Sequence, residues 1–324
     1  MSRSGKYSFA LDRDTIVKRA MQLVNLININ QTARGADHDY AVDIFQSMIK
    51  MWQAEGIQMW NRKQATLFPS YQTSQYSVSN SASSAHCANT YVDTTLSAAL
   101  AAGQSILSVT STIGMTTADH VGIELDDKSR QWTTIVSVDS STQITVTAAL
   151  TAAAAAGNTL VAYTNQIADR PLRILDMRAY DLNNTTSVTM TNIGYDQYFN
   201  LPAKNIDGRP INFYYDKLLD AGVVYLFPRP ADVSVLLEFT YHESIQDVDS
   251  PTDSMDFPTE WTLPLIYGLA TELCVTFGKF EQLPLIKGMA DEYKKLVREF
   301  DNDEEPFFLL PDMTPYENNG RGHK

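Results

Sequence analysis

Apolar residues recur at steps of three and four near both ends of the chain, which is the spacing of amphipathic helices. The clearest case lies between residues 37 and 60, where Gly56 follows the apolar stripe as a left-handed stop. The side chains of that stripe are Tyr40, Ala41, Ile44, Met48, Met51 and Trp52. The same spacing predicts helices over residues 12–28, 258–278 and 284–300. Because so wide an apolar face needs partners, we expect the four helices to pack together.

Short alternating runs of apolar and polar residues fill the middle of the chain and predict strands. The predicted strands are 64–68, 71–78, 105–110, 121–125, 132–138, 143–147, 159–163, 171–180, 185–190, 211–216, 222–227 and 234–241. The last two predict a hairpin across Pro228 and Pro230, with two unrelated edge strands as the alternative. Two alanine-rich pieces, 96–103 and 148–157, are predicted as packed connectors, although each is equally compatible with one turn of helix.

These changes of pattern predict an α+β protein in four parts. Residues 1–62 and 256–303 would form a helical bundle base, and residues 63–89 and 165–255 a β-rich module. Residues 90–164 would form an inserted small β-barrel or sandwich, reached through a polar linker at 79–89. Pro306, Pro311 and Pro315 interrupt the last helix, so residues 304–324 would form an extended apolar arm.

Composition and charge narrow the class of protein. A chain of 324 residues with 44% hydrophobic and 19% charged residues can bury a sizeable core. No apolar stretch approaches the roughly 20 residues that span a bilayer, which predicts no membrane partner. Two cysteines and the lack of a signal-peptide core favour synthesis in a reducing compartment. A net charge of −13 argues against a protein that grips nucleic acid over its whole surface, and a negative lining would let a duplex slide.

The sequence contains no Walker A loop, dinucleotide fingerprint, GxSxG elbow or HExxH motif. The prediction is therefore a non-enzyme without metal or cofactor. His86 and Cys87 are adjacent but have no ligand-spaced companion, so we interpret them as incidental. Glu124, Asp126 and Asp127 could hold a cation or cleave a glycoside, but a solvated hairpin tip is the simpler interpretation.

Three further groups of residues are weighed in the same way. An aromatic box that binds a sugar or a nucleobase could be formed by Trp52, Trp60 and Trp261. Large aromatic residues at helical spacing are, however, more typical of a hydrophobic core. The predicted core of the helical base is Ile44, Met48, Trp52, Gly56, Trp261, Leu265 and Leu269. The basic residues Arg62, Lys63, Arg170, Arg173 and Arg178 are too dispersed along the chain to predict a nucleic-acid patch. The acidic run Asp301, Asp303, Glu304 and Glu305 suits solvent or a basic partner.

Three segments carry a family resemblance. They are DRDTIVKRAMQLVNLI near the N-terminus, DYAVDIFQSMIKMWQAEGIQMW with its Trp-x-Ala-Glu-Gly turn, and DFPTEWTLPLIYGLATELCVTFGK. In this order they resemble the head-to-tail adaptors of short-tailed bacteriophages, the family of the tail accessory factor or packaged-DNA stabilisation protein. The segment VGIELDDKSRQWTTIVSV resembles part of the β domain that larger members carry.

The resemblance implies a structural role rather than a catalytic one. Such adaptors form a twelve-membered ring below the portal protein, and double-stranded DNA passes through the lumen without sequence-specific binding. The implied partners are copies of the chain, the portal, tail nozzle or tail-tube proteins and tail fibres. The implied location is the head–tail junction of the virion, after synthesis in the host cytoplasm. By position, the portal-binding arm would use Phe307, Phe308, Leu309, Leu310, Pro311 and Tyr316.

Two alternatives stay open at this point. One is a virion protein whose β insert binds or hydrolyses host glycan, with Glu124, Asp126 and Asp127 beside Trp132. The other is the tail-tube protein of a short-tailed phage, which has a similar helical base.

Overall fold

The computed structural model describes residues 11–56, 59–79, 85–167, 170–219, 221–252 and 255–300, without the side chain of Met59, and every structural statement below refers to that part of the chain. It is a mixed α+β protein in which strands predominate. The α-helices are α1 (Arg13–Leu23), α2 (Gly35–Ala54), α3 (Tyr195–Phe199), α4 (Thr262–Thr276) and α5 (Leu283–Phe300). Short 3-10 turns, Met59–Asn61 and Thr259–Trp261, precede the first strand and α4.

The strands form three larger sheets and one small pair. They are β1 (Arg62–Leu67), β2 (Gln75–Val78), β3 (Cys87–Ala88), β4 (Val92–Thr95), β5 (Ile106–Ser108), β6 (His120–Glu124), β7 (Arg130–Ser140), β8 (Gln143–Val146), β9 (Thr159–Tyr163), β10 (Arg173–Asp181), β11 (Thr186–Thr189), β12 (Thr191–Asn192), β13 (Asp207–Gly208), β14 (Asn212–Lys217), β15 (Gly222–Phe227), β16 (Arg229–Pro230) and β17 (Val235–His242). Every predicted strand overlaps an observed one. The pattern missed β3, β4, β12, β13 and β16, which have two to four residues.

Helices α1, α2, α4 and α5 share one hydrophobic cluster, although all the described strands lie between α2 and α4 in the sequence. Asp12 begins α1 by accepting a hydrogen bond from the Thr15 N–H at 2.8 Å. Trp261 is 2% exposed and lies at the centre of an aromatic group. Its ring centroid is 6.0 Å from that of Trp52 and 5.2 Å from that of Trp60. Side chains from both ends of the chain therefore build this cluster together.

The buried face of α2 differs in part from the predicted stripe. Its buried residues are Ala41, Val42, Phe45, Met48, Ile49 and Trp52. Tyr40 and Met51 were predicted on the same face but are 51% and 54% exposed. Because α2 is apolar on two adjacent sides, residue spacing alone does not determine which side meets the other helices.

The predicted stop at the end of α2 is confirmed. Gly56 has φ +82°, the left-handed conformation that glycine adopts without strain. It is exposed, however, and a Cβ added to it would meet nothing within 4 Å. Gly56 thus ends the helix and does not belong to the packed core in which we had expected it.

Two sheets pack face to face beside the helices. One has the strand order β11-β10-β17-β1-β3 and the other has the order β12-β14-β15-β2. Met177, Leu237 and Phe239 from the first sheet share a buried cluster with Phe213 and Leu226 from the second. Because side chains alternate along a strand, the outer face of the five-stranded sheet is polar.

The predicted hairpin over residues 222–241 is wrong. β15 pairs with β14 and β2, whereas β17 pairs with β10 and β1 in the other sheet. Both strands are central rather than at an edge, so the alternative interpretation also fails. The chain crosses between the sheets through residues 228–234, where Arg229 and Pro230 pair with Asp207 and Gly208 instead. Alternation identified both strands but carried no information about their partners.

Residues 92–163 form a six-stranded antiparallel sheet with the order β4-β9-β6-β7-β8-β5. Its first and last strands approach each other, because Leu96 forms a bridge with Val109 and the Ser97 N–H donates to the Ser108 carbonyl at 3.0 Å. The sheet therefore curls round its own hydrophobic cluster. The two alanine-rich pieces pack there in part, through Leu96, Leu100, Leu150 and Ala154, with Leu100 bridged to Ala154, whereas most of their alanines are exposed.

The curled sheet contacts the five-stranded sheet through aromatic packing and one buried cation. Phe68 stacks on Tyr163 with a centroid separation of 5.5 Å and an interplanar angle of 4°. Arg130 of β7 is buried and donates a hydrogen bond to the carbonyl of Val233. The predicted polar linker is wrong at its end, because Cys87 and Ala88 are fully buried and pair with β1.

A close approach between α2 and α4 gives a stability prediction. A Cβ added to Gly268 of α4 would lie 2.7 Å from Cζ2 of Trp52 and 3.1 Å from Sδ of Met48. We expect Gly268→Ala to lower the free energy of unfolding by about 1–2 kcal/mol, since overpacking outweighs the gain in helix propensity. Denaturant unfolding followed by tryptophan fluorescence measures the change.

Gly288→Ala in α5 is the matched control for that substitution. A Cβ there would meet nothing within 4 Å, so we expect it to raise the free energy of unfolding by about 0.5–1 kcal/mol. Equal stabilisation by both substitutions would show that the α2–α4 contact is looser than described.

Candidate interaction sites

Most of the predicted helical core is buried together. Met48, Trp52, Trp261, Leu265 and Leu269 all belong to the helical cluster. Ile44 is only partly buried and lines a groove of about 400 Å³ between α2 and α4. The groove is lined by Tyr40, Asp43, Ile44, Ser47, Met48, Met51 and Glu272. The aromatic-box interpretation has no support from the packing, since Trp52 and Trp261 are buried and Trp60 is half-buried among them.

Several large apolar side chains of the helices point away from this core. Leu285 and Phe300 of α5 are 72% and 81% exposed, and Leu296 on the same helix is also exposed. On α4, Leu263 and Val275 are about half-exposed. Apolar side chains gathered on exposed helix faces mark a surface that can bury them against another protein.

The three carboxylates of the predicted hairpin tip each stabilise the local fold. Glu124 accepts hydrogen bonds from the N–H and the hydroxyl of Thr159, at 3.0 and 2.6 Å. Asp126 accepts from the Ala155 N–H at 2.8 Å. Asp127 accepts from the Ser129 N–H at 2.9 Å, and its bonds to Ser129 lower its pKa. These bonds support the hairpin-tip interpretation.

Metal-binding geometry is not found among the described residues, where no three His, Cys, Asp or Glu side chains group closely enough to hold an ion. Within the same part of the chain, no helix combines the length and hydrophobicity needed to cross a membrane.

His86 and Cys87 lie in a packed aromatic environment rather than in an open linker. The His86 ring stacks on Trp132 at 3.7 Å between centroids, and its Nδ1 is 2.5 Å from the Tyr163 hydroxyl. Burial, and then the nearby charges of His120 and Arg130, lower the pKa of His86 to about 4. Burial raises the pKa of the Cys87 thiol. Both residues therefore have a structural role at the junction of the two β units.

Folding brings together basic residues that are dispersed in the sequence. Arg62, His242 and Arg173 are register partners on β1, β17 and β10, so they share one sheet face. A neighbouring pocket of about 580 Å³ lies between the end of α2 and this sheet. Its lining includes Lys50, Gln53, Glu55, Gly56, Arg170, Arg173, Lys217, His242 and Ser244. We call this the basic pocket.

Two of the five basic residues singled out in the sequence lie outside this group. Lys63 pairs with Glu243, and Arg178 is the register partner of Glu238. The other three, Arg62, Arg170 and Arg173, come from two separate stretches of the chain. The sequence pattern did not predict that these residues lie close together, because their proximity depends on the pairing of β17 with both β1 and β10.

An aromatic cluster on the four-stranded sheet was also missed. Tyr214 and Tyr225 are cross-strand partners, and α3 lays Tyr195, Tyr198 and Phe199 against them. The Nζ of Lys204 lies 4.6 Å from the centroid of the Phe199 ring. The short helix α3 carries three rings in five residues, which was the available signal.

The predicted arm residues Phe307, Phe308, Leu309, Leu310, Pro311 and Tyr316 lie outside the described residues, as do Asp301, Asp303, Glu304 and Glu305. Comparison with protein-family models finds none that matches the chain. Comparison with curated proteins finds no match either.

The buried histidine generates a pH prediction. Between pH 6.5 and about 4 the unfolded chain binds a proton at His86 while the folded chain does not, so the stability from this group is complete above pH 6.5 and is lost towards pH 4. We expect His86→Gln to make the denaturant midpoint fall less steeply over this range. Tyr163→Phe, which keeps the imidazole, should retain the steep fall. An unchanged slope in His86→Gln would assign the pH dependence to other groups.

Proposed function

We propose that the chain is a structural head-to-tail connector of a short-tailed bacteriophage. In this proposal α1, α2, α4 and α5 form a helical bundle base, the two packed sheets form the β-rich module, and residues 90–164 form an inserted barrel. Copies of the base lie side by side in a ring, in the expected case of twelve subunits, below the portal protein. The protein is not an enzyme and needs no cofactor in this role.

The observation that carries the proposal is the composition of the helical cluster. Segments from the beginning of the chain and from its later part pack Trp52, Trp60 and Trp261 together, and these three tryptophans come from the segments that resemble the adaptor family. If the ends of the chain lay in separate bodies, the resemblance would have no structural counterpart.

Exposed apolar side chains on the same helices support assembly. The groove between α2 and α4 and the exposed apolar residues of α5 are two different surfaces of the helical cluster. A head-to-tail ring contact joins two different surfaces of neighbouring subunits, so these two could meet. Each such contact is repeated at every subunit boundary, so modest burial at one interface adds up around a closed ring. The proposed further partners are the portal, the tail nozzle or tail tube and tail fibres, with DNA passing through the lumen.

The carboxylates weigh against the glycan alternative. Glu124, Asp126 and Asp127 accept hydrogen bonds from different backbone N–H groups, so one oxygen of each carboxylate is already engaged in the fold. The tail-tube alternative would use the same helical base, and binding to the portal rather than to another tail protein distinguishes it only weakly.

Ring formation is tested by charging the groove. We expect Met51→Glu, on the groove between α2 and α4, to abolish assembly, because a carboxylate would be buried against an apolar surface. Ile113→Glu is the control, since Ile113 is 82% exposed in the curled sheet and not on the helices. Native mass spectrometry, with and without portal, measures the copy number. A wild-type chain that stays monomeric under both conditions would refute the proposal.

Portal binding is tested by shortening the chain. Removing the residues after Asp303 deletes the predicted arm and leaves α5 intact. We expect the shortened chain to keep its circular-dichroism spectrum and to lose co-sedimentation with portal assemblies from the same virus. A second variant, Phe307→Ser with Leu310→Ser, separates the apolar contact from chain length. Unchanged binding by both variants would exclude the arm as the docking element.

A further inference from the structure

We propose that the basic pocket binds the phosphodiester backbone of a nucleic acid. This inference goes beyond the connector role and does not need the ring to exist. It rests on three positively charged side chains of that pocket, Arg170, Arg173 and Lys217, in an otherwise acidic chain.

The first element of the site is a row of three side chains across the sheet. Arg62, His242 and Arg173 are opposite one another on adjacent strands, so they project from the same face. Neighbouring strands lie about 4.8 Å apart, which gives the row a length of about 10 Å. Arg62 and Arg173 are exposed and His242 is half-buried between them.

The second element extends the row beyond the sheet. Arg170 precedes β10 and Lys217 ends β14, and both line the basic pocket together with Arg173 and His242. Gln53 and Ser244 add neutral polar groups to its wall, and the Gln53 amide donates to the Ser244 hydroxyl at 3.1 Å. The site is thus an open groove lined by cations from three separate parts of the chain.

The charge balance of the pocket is positive. Its one acidic lining residue, Glu55, pairs with Lys294 at 2.8 Å, and Lys50 pairs with Asp247 at 2.5 Å. Arg170, Arg173 and Lys217 form no hydrogen bond or ion pair with the residues that the structure describes. After burial, the charges of Arg62 and Arg173 are what lower the pKa of His242. The lowered pKa of His242 therefore agrees with a positive electrostatic potential at this site.

Phosphate is the anion that fits this arrangement best. The guanidinium group offers a planar fork of donors that matches phosphate oxygens, and two of the three unpaired cations are arginines. A row about 10 Å long with further cations beyond it suits a chain of regularly spaced charges better than one carboxylate. Contacts to the backbone carry no sequence information, so such binding would be independent of sequence.

Salt-dependent binding of the full chain to a fluorescein-labelled DNA duplex tests the proposal. If Arg170, Arg173 and Lys217 each neutralise one phosphate, the logarithm of the association constant should fall with the logarithm of salt concentration with a slope of about −2.7. This corresponds to a loss of about 40-fold between about 50 and 200 mM salt. Two duplexes of unrelated sequence should give the same slope.

Matched variants decide whether these residues are responsible. Arg170→Gln with Arg173→Gln should reduce the slope to about −0.9, whereas Arg170→Lys with Arg173→Lys should keep it near −2.7. The control is Lys18→Gln with Lys128→Gln, which removes two exposed charges elsewhere and should leave the slope unchanged. The lysine variants keep the test valid if the glutamine variants fold poorly.

Three results would overturn the proposal. They are no binding at low salt, an equal loss of slope in the control pair, and displacement of the duplex by a polyglutamate peptide at lower charge concentration than by unlabelled DNA. The last result would assign the pocket to an acidic protein segment. Because none of these measurements depends on ring formation, the connector proposal stands or falls separately, by the mass measurement.

Discussion

The packing of α2 against α4 round Trp261 is the contact on which the remaining architecture depends. It joins two segments separated by all the described strands, so its formation closes a very long loop. The entropic cost of closing a loop grows only slowly with its length. Burial of aromatic surface offsets that cost, because the Trp261 ring centroid lies 6.0 Å from that of Trp52 and 5.2 Å from that of Trp60, both distant in the sequence. Gly268 permits the close approach, since no Cβ intervenes between α4 and the Trp52 ring.

The contact between α2 and α4 places the start of β1 and the end of β17 beside the helices. β1 leaves the helical layer directly after the turn that carries Trp60, and β17 returns towards it while pairing with the whole length of β1. The curled sheet is held at the far side of these strands by Phe68, Tyr163 and the buried Arg130. The helices, the packed sheets and the curled sheet therefore contact one another through these strands.

Charge is distributed unevenly over this framework. The chain has 38 acidic and 25 basic residues, yet the junction of α2 with the sheet gathers four arginine and lysine side chains in one pocket. An acidic molecule with one basic groove repels a polyanion over most of its surface and holds it at a defined place. If the chain forms the connector proposed above, a small number of salt-sensitive contacts would allow DNA to be both retained and released.

The sequence by itself determined which segments are helical or extended. Apolar spacing located α1, α2, α4 and α5, the glycine at residue 56 ended α2, and alternation found every strand longer than four residues. These features depend on neighbours along the chain, so local periodicity contains them. Only the tertiary structure decided which strands pair, which side of α2 is buried, that Cys87 lies inside, and that Arg62, Arg170 and Arg173 meet. Those outcomes depend on contacts between residues far apart in the sequence, and in a single chain such contacts leave no periodic trace.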